Sequence, residues 1–145
     1  MFKSCQKRIP LRFVLTVLLA AAVLSICACS TDAGKTAKLD DLQLTIRTDP
    51  APPKVGYDAL IQATLTGKDQ QPRNDCQLRF RQFMSGMEMD TDKSYISLKR
   101  TADDGEFEAR SAEFSMGGNW ILEFELDCQG KESRRQFVYN VPWPE

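Results

Sequence analysis

The chain has 145 residues, 42% hydrophobic and 27% charged, with 19 Lys and Arg against 20 Asp and Glu for a net charge of −1. Histidine is absent, which removes the usual general base, most nucleophile triads and most zinc sites. No basic patch stands out, which argues against nucleic acid as a partner, and no pair of Asp, Glu or Lys is marked out by spacing for acid–base work.

The chain opens on a basic stretch (Lys3, Lys7, Arg8, Arg12), an uncharged run from Phe13 to Ser30, and a polar exit at Thr31 and Asp32. Residues 1–28 are therefore expected to be an export signal rather than structure. Ile26-Cys27-Ala28-Cys29 resembles the bacterial lipobox, with a branched apolar residue three before the cysteine and a small residue just before it. The resemblance implies diacylglycerol on the Cys29 thiol, palmitate-class acyl chains and cleavage after Ala28. The alternative is an uncleaved anchor, since Phe13–Ser30 is just long enough to span a bilayer. Either way the rest of the chain is expected in the bacterial cell envelope, held on a membrane. Ser30, rather than Asp, follows Cys29, which resembles the sorting pattern for an outer membrane facing the periplasm if the source is Gram-negative. All four leader charges are basic, so residues 29–145 keep 15 Lys and Arg against 20 Asp and Glu, a net of −5.

Residues 29–40 are small and polar and read as the lipidated cysteine followed by a flexible tether. From residue 41 onward the apolar positions recur with period two. Leu42, Leu44 and Ile46 alternate with Gln43, Thr45 and Arg47. The prolines of Asp49-Pro-Ala-Pro-Pro-Lys-Val-Gly56 then break the strand. Ala59, Ile61, Ala63 and Leu65 form the next alternation, and Gly67–Asp75 reads as a turn region. Cys76, Leu78 and Phe80 alternate with Gln77, Arg79 and Arg81. A strand follows over about 93–100, and Asp103-Asp104-Gly105 is a hairpin signal. Phe107 and Ala109 face inward on the next strand. Trp120, Leu122, Phe124, Leu126 and Cys128 form the cleanest alternation, with Glu123, Glu125 and Asp127 opposite. Phe137, Tyr139 and Val141 close the pattern. About seven short strands and no convincing mature helix predict one domain over 41–145, an immunoglobulin-like antiparallel β-sandwich.

Cys76 and Cys128 are the two cysteines left after Cys29, and in an oxidising envelope they are expected to pair. Free thiols binding a metal are the alternative. If the strand beginning at Cys76 lies antiparallel to the strand ending at Cys128, paired positions sum to 204. Met84 then faces Trp120, Met87 faces Gly117, Met89 faces Ser115, and Met116 falls beside Glu88. Four thioethers and one indole are thus expected at the end distal to the cysteines. A soft-metal reading makes Met84, Met87, Met89 and Met116 ligands of Cu(I), with Trp120 as a cation–π neighbour. The bland reading makes the same methionines a flexible plug of the core.

Three stretches carry a family resemblance: Pro52-Pro-Lys-Val-Gly56 followed by Leu60-Ile-Gln-Ala63; Phe83-Met-Ser-Gly-Met87; and Gly105-Glu-Phe107 followed by Phe114–Leu122. Together, over about residues 40–141, they resemble the YtkA-like/FixH-like family of envelope β-sandwich domains. The resemblance implies a non-enzymatic protein, with some relatives near respiratory oxidase or copper-handling functions. Ser85 stands where the family commonly has proline, and no histidine follows Met87.

Two functions compete. One is a lipid-anchored, non-catalytic module that binds an envelope protein. The other is a periplasmic Cu(I)-binding or copper-delivery protein. An enzyme is a third class with little to support it. Asp103, Asp104 and Glu106 read as a hairpin with solvated acids rather than a calcium site, and Arg134-Arg135 as a solvated strand edge. Trp143, between two prolines, is either a loose end or a partner contact.

Overall fold

The computed structural model describes residues 34–87 and 94–145, all within the unit Asp32–Glu145. The export signal, Cys29, Glu88 and Met89 lie outside the described residues. Among the described residues nine strands run in chain order: β1 (Lys35–Leu39), β2 (Leu42–Asp49), β3 (Leu60–Gly67), β4 (Cys76–Met84), β5 (Ile96–Ser97), β6 (Lys99–Arg100), β7 (Glu106–Arg110), β8 (Gly118–Cys128) and β9 (Lys131–Val141). Among the described residues there is no helix. They form two antiparallel sheets, β1-β2-β3-β7-β6 and β5-β4-β8-β9. This is the immunoglobulin-like sandwich that the period-two pattern calls for.

The inward residues are the ones the alternation assigns. Leu44, Ile46, Ile61 and Leu65 from one sheet, and Phe80, Leu122, Phe124 and Leu126 from the other, are fully buried. Phe80 and Phe124, directly opposite on β4 and β8, stack at 5.4 Å, and Phe137 of β9 meets Phe124 edge-on at 5.7 Å. Three strands thus share one aromatic stack at the middle of the core. Each such ring pair contributes about 0.5–1.5 kcal/mol beyond its burial.

Two expectations are corrected. Residues 35–39, read as tether, are strand β1, paired with β2 from Lys35↔Ile46 to Leu39↔Leu42. The pairing works because Leu39 is buried on the core side and Asp40 adopts a left-handed conformation at φ 52° in the turn. The strand expected over about 93–100 splits at Leu98. β5 joins β4 and β6 joins β7, so the segment passes from one sheet to the other. Buried Leu98 marks the crossing, its N–H donating to Leu78 O at 2.9 Å. The Asp103–Gly105 hairpin forms as expected, with Gly105 at φ 73° where a Cβ would strike Leu65 O at 2.8 Å.

The 204 register holds from Cys76↔Cys128 through Met84↔Trp120, and the cysteines are disulfide-bonded. The disulfide lies at the end where Asp75 accepts from Arg73 at 2.7 Å and from Gln129 at 2.9 Å. Arg73 holds the Asp75 carboxyl down at about 2. The bond links residues 52 apart and contributes about 4 kcal/mol in the chain-entropy account. Replacing Cys76 and Cys128 together by Ser should lower the unfolding free energy by about that amount in a denaturant titration, at unchanged strand content. A loss below about 1 kcal/mol would mean that the β4–β8 ladder holds the loop closed without it.

Candidate functional site

Two places carry side chains that the core does not account for. The first is the methionine end. Met84, the last residue of β4, is buried opposite Trp120. Trp120 meets Phe114 edge-on at 5.2 Å, and its indole N–H donates to Met116 O at 2.9 Å. Met116 is half-buried against the same cluster. Gly118, at φ 133°, leaves room for Met84, whose terminal methyl lies 2.9 Å from where a Cβ would stand. The ladder goes one residue further, Ser85 N–H donating to Asn119 O at 3.0 Å. Gly86 then turns the chain at φ 81°, and Met87 N–H donates back to Met84 O at 3.3 Å.

That turn corrects the expected facing of Met87 and Gly117. Met87 leaves the ladder and stands 45% exposed, while Gly117 is covered instead by Trp143, whose ring lies 2.6 Å from a Cβ built there. The structure therefore brings Met84, Met116 and Trp120 together and sets Met87 on the surface one turn away. Among the described residues no three His, Cys, Asp or Glu side chains group as metal ligands.

The second place is the outward face of the four-stranded sheet, of which only Arg134-Arg135 was expected to be solvated, as a strand edge. Its cross-strand rows are Phe83↔Ile121↔Val138, Arg81↔Glu123↔Gln136 and Arg79↔Glu125↔Arg134. Glu123 and Glu125 are only 7% and 3% exposed although they point away from the core. Glu123 Oε1 accepts from Arg81 Nε at 2.8 Å and from the Tyr95 hydroxyl at 3.2 Å, and Oε2 accepts from Gln136 at 2.7 Å. Glu125 Oε1 accepts from Arg79 Nε at 2.7 Å, and Arg134 Nη2 lies 3.0 Å from Oε2. The Arg79 guanidinium lies over the Tyr95 ring at 4.7 Å and that of Arg81 at 5.5 Å.

Burial works to raise the Glu123 carboxyl, but the bonds from Gln136 and Arg81 outweigh it and the net direction is down. For Glu125 the bond from Arg79 lowers it first and outweighs desolvation. Both carboxylates are thus favoured in their ionised form and covered by cationic and polar side chains. Arg79 and Arg134 keep side chains 50% and 59% exposed. Arg134 is therefore part of this network rather than a solvated edge, and Arg135 donates from Nε to Lys38 O at 3.2 Å. Together with Lys35 Nζ, which donates to Val138 O, it ties β1 against β9 and blunts the open edge of the sheet. The signal for this face was present as Arg-x-Arg against Glu-x-Glu at matching register. Single-strand periodicity does not show which rows align.

Fold and face together define a small antiparallel sandwich domain with one disulfide-pinned sheet that carries an ordered polar face. A model of the YtkA-like family matches residues 36–125, and the chain belongs to that family. The crystal structure of a DUF4426 family protein from Pseudomonas aeruginosa PAO1 is similar, with a TM-score of 0.49 at 13% identity over 77% of this chain and 99% of that one. No curated protein matches.

Both glutamates are held below the ordinary value of 4.5. Lowered acids contribute stability that is complete above 4.5 and lost as pH falls through their folded values. The melting temperature should therefore be flat from pH 7 to about 5 and fall below that, with Asp75 adding a further loss between its ordinary value of 3.8 and about 2. The double change Glu123→Gln with Glu125→Gln should start lower and fall less steeply. An equal slope in both proteins would take these two groups out of the acid response.

Proposed function

We propose that this protein is a lipid-anchored, non-catalytic binding module of the bacterial envelope. It holds an envelope protein against the outward face of the β5-β4-β8-β9 sheet. The observation that carries the reading is the pair of buried carboxylates held by ion pairs beneath Arg79, Arg81 and Arg134. Burying a carboxylate on an outward face has a desolvation cost that a merely solvated surface never incurs. Here it holds three guanidinium groups and Tyr95 in set positions, so a partner binds without first ordering them. The adjacent apolar row Phe83-Ile121-Val138, with Val138 50% exposed, supplies desolvated area beside the polar contacts. The preferred partner brings acceptor oxygens to Arg79 and Arg134 and an apolar side chain to that row. Cys29, through its lipid, keeps the module at the membrane.

The test is site-specific photocrosslinking in intact cells. A photoreactive residue at Gln136 should yield one defined adduct. The same residue at exposed Gln62, on the outward face of the other sheet, should yield none. Equal adducts from both faces would remove the assignment.

Copper handling has one specific observation in its favour. Met84 pairs with Trp120, whose indole N–H donates to Met116 O, and exposed Met87 is bonded to Met84 at the backbone. Thioethers suit Cu(I), and Met84, Met87, Met89 and Met116 would hold it, with Trp120 alongside. A Cu(I) titration against a competing chelator decides this. One-to-one binding should vanish in the Met84→Leu, Met87→Leu, Met89→Leu triple variant, since Leu nearly conserves the volume of Met. No competition with the chelator would leave the methionines to the core and the turn.

A further inference from the structure

Towards the disulfide the outward face of the β5-β4-β8-β9 sheet carries one more row. Gln77 pairs with Asp127 and Asp127 with Glu132, one row beyond Arg79, Glu125 and Arg134. Rows two residues apart along a strand are about 7 Å apart. Gln77, Asp127, Glu132, Arg79 and Glu125 all line one cleft of about 580 Å³. Binding clefts typically measure about 300–1,000 Å³. The cleft extends to Leu98, where the chain passes from one sheet to the other, and to Arg100. Buried Leu78, Leu98 and Phe107 give it an apolar lining.

The charges lining this cleft do not balance. Arg79 is bonded to Glu125, which leaves half-buried Asp127 and exposed Glu132 against exposed Arg100. Glu125 adds an acceptor that the protein leaves open. Its Oε2 receives no directed hydrogen bond, although Arg134 Nη2 stands 3.0 Å away. Arg134, with its side chain 59% exposed, therefore keeps N–H groups for an oxygen that arrives from outside. An excess of carboxylates over an apolar lining suits a cationic head on an apolar stem, the form of a Lys or Arg side chain. The net charge of −5 over residues 29–145 draws a basic segment in from a distance.

Resting on the binding-module reading, we propose that this cleft sets the specificity of the face by taking a basic side chain of the envelope protein that the module holds. The stem of that side chain crosses the Leu78, Leu98 and Phe107 lining, and its head reaches Asp127 and Glu132. In the adjacent row an acidic side chain of the same segment meets Arg134 in a charge-assisted bond. An extended chain presents every second side chain on one side, about 7 Å apart, which equals the spacing of the two rows. The recognised segment is therefore extended and carries a basic residue two positions from an acidic one, the basic residue lying nearer the disulfide. Placing the opposite signs in adjacent rows also fixes the direction of the segment, since a reversed segment sets like charges together.

The experiment uses the full chain in intact cells. A photoreactive residue replaces Gln77, which is exposed and lines the cleft, and its adduct is compared with that from Gln136. Both positions should capture the same protein, and mass spectrometry should place the Gln77 junction within about two residues of a Lys or Arg. Asp127→Asn with Glu132→Gln should lower the Gln77 adduct about fivefold. Asn keeps an acceptor for Gly130 N–H and Glu132 is exposed, so an unchanged melting temperature shows that the fold survives the double change. Arg100→Ala, which removes the competing cation, should raise the adduct. An adduct from Gln136 with none from Gln77 would overturn the cleft assignment and leave the face standing. No defined adduct from either position would overturn both. A Gln77 adduct that maps far from any basic residue, survives neutralisation undiminished or falls in Arg100→Ala would overturn the proposal. So would capture of a second copy of this chain alone.

Discussion

The antiparallel ladder between β4 and β8 is the constraint on which the rest of the molecule depends. One register serves three purposes at once, because side chains alternate across a strand. On the inner face it stacks Phe80 on Phe124. On the outer face it sets Arg79 against Glu125 and Arg81 against Glu123. At its ends it joins Cys76 to Cys128 and brings Met84 to Trp120. A slip of one residue would turn the arginines into the core and the phenylalanines out. The disulfide excludes that slip covalently, so core and surface are specified by the same alignment.

The outward face shows how a sheet keeps ordered polarity on its solvent side. Carboxylates at the centre of two adjacent rows would ordinarily stay wet. Here arginines on both neighbouring strands fold over Glu125, and Arg81, Gln136 and Tyr95 close over Glu123. Charge-assisted bonds are about twice as strong as neutral ones, which offsets the lost hydration. Tyr95, delivered by the segment that crosses between sheets, gives two guanidinium groups a ring to lie on. Tyr95 directly precedes β5, so the pairing of β5 with β4 is what brings it to the face.

Opposite ends of the domain differ in kind. One gathers aspartates around the disulfide, the other gathers exposed aromatic and thioether groups where the chain enters. Lys35 and Arg135 blunt the β9 edge, which disfavours strand addition there.

Much of the fold was legible in the residues. The period-two runs of Leu42–Ile46, Ile61–Leu65, Cys76–Phe80 and Trp120–Cys128 name their buried faces, because alternation is a property of each strand alone. The cysteine spacing then aligned β4 with β8 correctly as far as Met84. The short polar segment that became β1 was not legible, because Lys35–Leu39 has one buried apolar residue and owes its strand to pairing with β2. The exit of Met87 from the ladder was hidden in the conformation of Gly86. The Arg–Glu face was hidden because rows exist only between strands distant in sequence. Periodicity and covalent spacing determined the fold class, the core and the disulfide. Which outward side chains meet was decided by tertiary structure, because it depends on how separate strands are placed in space.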